Sequence, residues 1–172
     1  MQEEHLLSQP TREIIYKVIY TRPGIHFRGL ARKVGKNVGV VQHHLKVLLN
    51  KNIIAKYRNG RYSRYYVSGN GMDGKDAVTV RMVASILNSS SARKMLLLLL
   101  EAGRQPHKKV AETLGFTSQA ITWHYKNMTT IVVREKVGRK VYYELTRHIK
   151  SITRKFVDLE GKSLENVPLP LS

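Results

Sequence analysis

The 172 residues contain no cysteine, which excludes disulfides, thiolate zinc sites and thiol-based sensing. Acidic residues are scarce, 12 against 30 Lys and Arg, for a formal charge of +18 and a pI of about 10.3. The shortage is local: residues 14–72 hold twelve Lys or Arg and no Asp or Glu. That third of the chain is closed to carboxylate chemistry. No carboxylate pair, nucleophile–base set or phosphate-binding glycine loop stands elsewhere, so an enzyme is not expected. Long apolar runs are also missing. The longest, Met95 to Leu100, is six residues, far below the roughly 20 of a membrane-spanning helix. The opening Met1-Gln2-Glu3-Glu4-His5 is acidic where a secretory signal is basic and then apolar. The expectation is a soluble, cytoplasmic, nucleoid-associated protein with no cofactor, no metal and no membrane partner.

What remains is a strongly cationic chain, and such a charge points to a polyanion, nucleic acid first. A device serving solubility alone would scatter acids among the bases, and here they are segregated. At this length, with 42% apolar residues, the chain can bury one modest core or two small ones.

An internal repeat decides for two, of about 75 residues each. Leu30-Ala31-Arg32-Lys33-Val34-Gly35 is followed nine residues past its glycine by His44-Leu45-Lys46. Val110-Ala111-Glu112-Thr113-Leu114-Gly115 is followed at the same interval by His124-Tyr125-Lys126. Each copy continues through a short apolar stretch into a Gly-Arg turn and a Tyr-rich strand, Gly60-Arg61 to Tyr65-Tyr66 and Gly138-Arg139 to Tyr142-Tyr143. The order is helix, turn, helix, hairpin, written twice.

Apolar spacing and punctuation place the elements. Thr11 can cap a helix carrying Ile14, Ile15, Val18 and Ile19, which Pro23-Gly24 stops. A short helix from about His26 to Val34 ends at Gly35 in the left-handed conformation. With Asn37 as cap, a helix over 38–50 sets Val41, His44, Leu45 and Leu48 on one face and Gly39, Gln42, His43 and Lys46 on the other. Residues 53–67 form a hairpin around Asn59-Gly60, where both turn positions call for positive φ. The linker from Ser68 to Lys75 leads to a helix with Asp76 as cap and Val78, Val80, Met82, Val83, Ile86 and Leu87 as its apolar set. Ser89-Ser90-Ser91 breaks that helix. The second copy then reads as helices 92–102, 107–114 and 118–129 and a hairpin over 132–145 turning at Val137-Gly138. A last helix covers 147–159, and the tail from Gly161 is expected to be disordered or draped on the surface. The fold class is mostly α with small β-hairpins (α+β), as two tandem winged helix-turn-helix domains. Domain boundaries fall at 1–67, 68–90 (linker and connecting helix), 91–145 and 146–172 (C-terminal helix and tail).

The runs Pro23 to Ala31, Val40 to Leu48 and Asn59 to Tyr66 resemble the tandem winged-helix transcription regulators common in archaea, whose domains are similar to the bacterial ArsR and MarR types. The resemblance covers residues 11–67 closely and 91–145 more loosely. It implies recognition helices at 37–50 and 117–129 and wings at 56–66 and 134–143. The chain departs in carrying Lys33 where such domains often have an acid, and in a second hairpin two residues shorter after its recognition helix.

A major groove about 12 Å wide accepts one helix, so the outward side chains are the candidates for reading bases. In the first copy these are Gly39, Gln42, His43 and Lys46, with Gln42 suited to a bidentate pair with adenine. In the second they are Gln119, Thr122, Trp123 and Lys126. Trp123 fits equally well on DNA or in an interface between domains or subunits. The candidate backbone contacts are Arg28, Lys36, Asn37, Lys56, Arg58, Arg61 and Arg64, then Thr117, Ser118, Arg139 and Lys140. His43 and His44, being neighbours on a helix, point about 100° apart and do not chelate one ion. His44 and His124 read as packed, hydrogen-bonded residues, and the wing tyrosines as strand residues packing on the core.

The function these features support is a sequence-specific regulator that binds double-stranded DNA, dimerising through helices 77–87 or 147–159. One alternative is an architectural protein that coats DNA with little preference. Another is a subunit of the transcription machinery with one winged helix bound to protein.

Overall fold

The computed structural model describes residues 6–69, 74 and 76–170. The opening acidic residues and most of the 68–75 linker lie outside that range. Two compact units result: residues 1–81 with 156–172, and residues 82–155. Among the described residues no single helix is long and apolar enough to cross a membrane.

The first unit begins with α1, Pro10–Thr21. Gln9 caps it, its side chain accepting from the Arg12 N–H at 2.9 Å, and Thr11, expected as the cap, is instead buried inside the helix. Pro10 explains the shift: its fixed φ and missing N–H suit the first helical position, which moves the cap one residue earlier than Pro. Arg22 ends the helix, and Pro23-Gly24 leads to β1, Ile25–His26. This two-residue strand, too short to show any alternation, escapes sequence reading.

Helix α2, Phe27–Val34, is capped by the His26 ring, whose Nδ1 accepts from the Gly29 N–H at 3.1 Å, and it closes on Gly35 at φ +66°. Helix α3, Val38–Asn50, starts where Asn37 Oδ1 accepts from the Gly39 N–H at 2.9 Å. The hairpin of β2, Ile54–Asn59, and β3, Tyr62–Val67, completes a three-stranded sheet in the order β1-β3-β2. Ile15, Ile19, Leu30, Val41 and Leu48 are fully buried in its core, and each contributes on the order of 1.5–3 kcal/mol through burial.

In the hairpin Asn59 pairs with Tyr62, so the turn is Gly60-Arg61, one residue later than Asn59-Gly60. Only Gly60 has positive φ there. Two-residue loops with positive φ at the first position alone follow the II′ pattern, which needs glycine at that place and accepts arginine next.

Helix α4, Ala77–Leu87, leads from the first unit into the second, with the Asp76 carbonyl accepting from the Val80 N–H at 2.9 Å. Its expected apolar set holds except at Val78, which is 62% exposed. Helix α5, Ser90–Ala102, starts two residues before the expected Ala92, because Ser89 takes the extended cap position and the next two serines enter the first turn. The second unit then repeats the first in order: β4, Gln105–Pro106; α6, His107–Leu114; α7, Ser118–Lys126; β5, Val132–Val137; and β6, Lys140–Leu145, with sheet order β4-β6-β5. Val137 pairs with Lys140, so Gly138-Arg139 is the turn rather than Val137-Gly138. The mixed composition of helices with small antiparallel sheets is that of winged helices.

The second hairpin is not the shorter one, since both pair six residues against six. The missing residues come from α7, which stops at Lys126 rather than at Thr129. Asn127 closes it by donating its side-chain amide to the Trp123 carbonyl at 2.8 Å, and Met128 turns into the interior, 1% exposed. Helix α8, Arg147–Glu160, leads back into the first unit. The described part of the tail beyond it lies largely exposed, as a draped segment would, but is anchored at one point. A single 3₁₀ turn over Leu164–Asn166 presents Val167, 4% exposed, to the core of the first unit.

Candidate nucleic-acid interface

In the first unit, Val41, Leu45 and Leu48 anchor α3 through its buried face, leaving Gly39, Gln42, His43 and Lys46 exposed on the opposite side as their spacing predicted. Lys36 and Arg28 are exposed beside them, and Asn37 is occupied as the helix cap. On the hairpin, Lys56, Arg58 and Arg61 are exposed, and Arg58 Nε donates to the Gly60 carbonyl at 3.3 Å. Glu13, the acid preceding the 14–72 stretch, pairs with Lys17 at 2.6 Å. Glu160 approaches Arg22 at 3.6 Å. The exposed cations of α3 and the hairpin therefore have no carboxylate close in sequence to neutralise them.

Arg64 behaves differently. Its Nη1 donates to the Gly24 carbonyl at 2.8 Å, and its Nε is buried without a partner. Burial lowers its pKa, against the raising influence of Tyr66 and Tyr62. The guanidinium fastens β3 to the turn before β1 instead of standing at the tip of the wing.

Three histidines are shifted toward the neutral form. Burial lowers the pKa of His26 first, and the charges of Arg64, Arg32 and Arg28 lower it further, keeping the Nδ1 lone pair available to cap α2. His44 is lowered by burial, then by Arg12 and His43, and its Nδ1 accepts from Arg12 Nε at 3.4 Å. His124 is buried and lowered by burial alone, stacking on Phe116 at 5.5 Å. It packs as expected, although its Nδ1 has no hydrogen-bond partner.

In the second unit, Gln119, Thr122, Trp123 and Lys126 are exposed together on α7 and line a shallow recess of about 400 Å³. Trp123 is 62% exposed, its ring edge-on to His124 at 5.0 Å. Thr117 Oγ1 accepts from the Ala120 N–H at 3.2 Å and caps the helix, whereas Ser118 Oγ lies 2.7 Å from His107 Nε2 and ties α7 to α6. Arg139 and Lys140 are exposed at the wing tip.

Sequence reading missed a cleft of about 710 Å³ formed by α6, α7 and the second hairpin. Lys108 and Arg134 line it with Lys140, over the rings of Tyr125, Tyr142 and Tyr143. The available signal was the pair Lys108-Lys109, the only adjacent lysines in the sequence, at the start of a helix that faces the wing.

Residues 9–78 match a protein family described as an N-terminal HTH domain. The chain is similar to an uncharacterized HTH-type transcriptional regulator of Methanocaldococcus jannaschii, 27% identical over 146 residues. That alignment covers 83% of this chain but 35% of the relative, so the chain spans about a third of its length. Among solved structures, the DIP2311 protein of Corynebacterium diphtheriae aligns over 83% of this chain and 27% of its own, at 15% identity and a TM-score of 0.34. A likeness that weak carries no argument. The matched segment contains α1, α2, α3 and the first hairpin, the parts that support the exposed cationic helix described above. Residues 9–78 thus match a helix-turn-helix family model, and the chain is similar to an archaeal HTH-type regulator.

Proposed function

We propose that the protein is a sequence-specific regulator of transcription that binds double-stranded DNA, with α3 and α7 in the major groove and the two hairpins along the flanking backbone or minor groove. One observation carries the reading: α3 is fixed by a buried apolar face and bears Gln42, His43 and Lys46 on its exposed face, in a segment without a carboxylate from residue 14 to 72. Exposed Arg28, Lys36, Lys56, Arg58 and Arg61 would neutralise phosphates around that helix, as Arg139 and Lys140 would around the second. Arg64 would act at the root of the wing, by holding it. The winged helices are assigned to residues 1–67 and 91–145, joined by 68–90 and followed by 146–172. Since the outward residues of α3 and α7 differ, a monomer would read two unlike half-sites, and a dimer through α4 or α8 would restore a palindrome. The protein acts in the cytoplasm.

The test is selection of bound sequences from a random duplex pool, followed by affinities for the recovered duplex and a scrambled one at about 150 mM salt. A recovered motif bound at least about 1,000-fold tighter than the scramble is the expected result. Equal binding to both would replace this reading with that of an architectural protein.

A further inference from the structure

We infer that the cleft formed by α6, α7 and the second hairpin binds a nucleotide-type ligand, a phosphate joined to a flat ring. Its volume of about 710 Å³ lies in the range of small-molecule sites, which combine an apolar or aromatic floor with a few placed polar groups. Here Tyr125 and Tyr142 supply the ring faces, with Tyr143 buried behind Tyr125, and Lys108, Arg134 and Lys140 the charge. The acid on the lining, Glu112, reaches Lys108 at 3.8 Å, so the cleft stays positive. Aromatic faces stack on any base, and cations beside them track its phosphate.

The rings are already fixed. Tyr143 OH lies 3.0 Å from His107 Nδ1, whose other nitrogen meets Ser118, and the Tyr143 ring lies 5.4 Å from that of Tyr125. The Arg104 guanidinium sits 4.2 Å from the Tyr142 ring centroid and is itself paired with Glu135. Side chains ordered before binding lose little freedom on binding. The first unit is built differently at the matching places. Arg64 faces His26 across its sheet as Tyr142 faces Pro106, and Phe27 opens α2 where His107 opens α6. With Arg64 folded onto Gly24, the first unit has no ring to offer at that position.

The cleft shares Thr122, Arg139 and Lys140 with the duplex-facing surface proposed above, but it needs no duplex to bind its ligand and is measured without one. Where the reading of α7 as a recognition helix also holds, a nucleotide seated beside it displaces the duplex backbone, and ATP weakens duplex binding by this chain. Loss of that competition with the site intact would count against the duplex reading alone.

A free nucleotide and an unstacked nucleotide of a strand share this chemistry, so the full chain is titrated calorimetrically with ATP, AMP, inorganic phosphate and a short single-stranded oligonucleotide. The expected result is one ATP site per chain, with AMP bound more tightly than phosphate. Tyr142→Leu lowers affinity for ATP by about fivefold or more while leaving phosphate unchanged, and Tyr142→Phe retains it. Lys140→Gln, at an exposed position that does not threaten folding, weakens ATP and phosphate together, and Arg61→Gln on the other wing changes neither. Dependence on Tyr142 seen with the oligonucleotide alone assigns the site to a strand and removes the free nucleotide. Several weak ATP sites indifferent to Tyr142→Leu and Lys140→Gln overturn the proposal.

Discussion

Arg61 is exposed at the tip of the first hairpin, whereas Arg64 on the same hairpin is turned inward onto the Gly24 carbonyl. The two substitutions therefore separate. Arg61→Ala leaves the urea midpoint where it was and, if the wing tip lies on a phosphate, reduces the log–log salt slope of duplex binding by about 0.9. Arg64→Ala removes a charged hydrogen bond to a buried carbonyl and lowers stability by about 1–2 kcal/mol, discounted for its partial exposure. An unshifted urea midpoint for Arg64→Ala would show that the clamp contributes nothing. The histidines add a pH dependence. His26, His44 and His124 each have a folded pKa below 6.5, so the stability they confer is complete above that value. It is lost as pH falls through the depressed folded values, because the unfolded chain takes up the protons first. Urea midpoints should decline as the pH is lowered from about 7 to about 5, and His124→Phe should make that decline shallower. A level profile in the parent protein would refute the assignment of neutral histidines.

The helices were legible where a chemical signal marked both ends. Asn37 opens α3, the apolar spacing of Val41, Leu45 and Leu48 carries it, and its bounds fall at 38 and 50 as the sequence implied. Helix α7 lacked such a stop. The polar run after Lys126 is compatible with further helix, and only the burial of Met128 and the Asn127 cap end it. Strands β1 and β4 are two residues each and have no periodicity to read. The exposed set on α3 and α7 could be read from spacing alone. The inward turn of Arg64 and the tyrosine cleft could not, since both depend on register across a sheet: His26 opposite Arg64, Pro106 opposite Tyr142. At the hairpin turns the outcome hinges on one residue each. Gly60 and Gly138 hold φ near +60°, so Gly60→Ala and Gly138→Ala should each destabilise by about 1–2 kcal/mol through backbone strain. Matching losses in thermal unfolding would check this, and no loss in either would mean that the turns relax to another type.

Across the full chain, the first unit is assembled from two separate stretches, residues 1–81 and 156–172. Val167 sits in the same core as Ile15, Leu30 and Leu48. Val167→Ala should therefore lower the stability of a core whose other clustered members lie at Val67 or earlier, by about 1.6 kcal/mol for two buried carbons. A stability identical to the parent protein would mean that the tail merely rests on the surface. The placement of this valine also bears on how the protein is made. Synthesis delivers the amino-terminal part first, at about 5–20 residues per second. The helices and hairpin up to residue 67 thus leave the ribosome several seconds before Val167 can reach them. The nascent first domain spends that interval with an apolar gap, and its last core position is filled by a residue translated well after the hairpin.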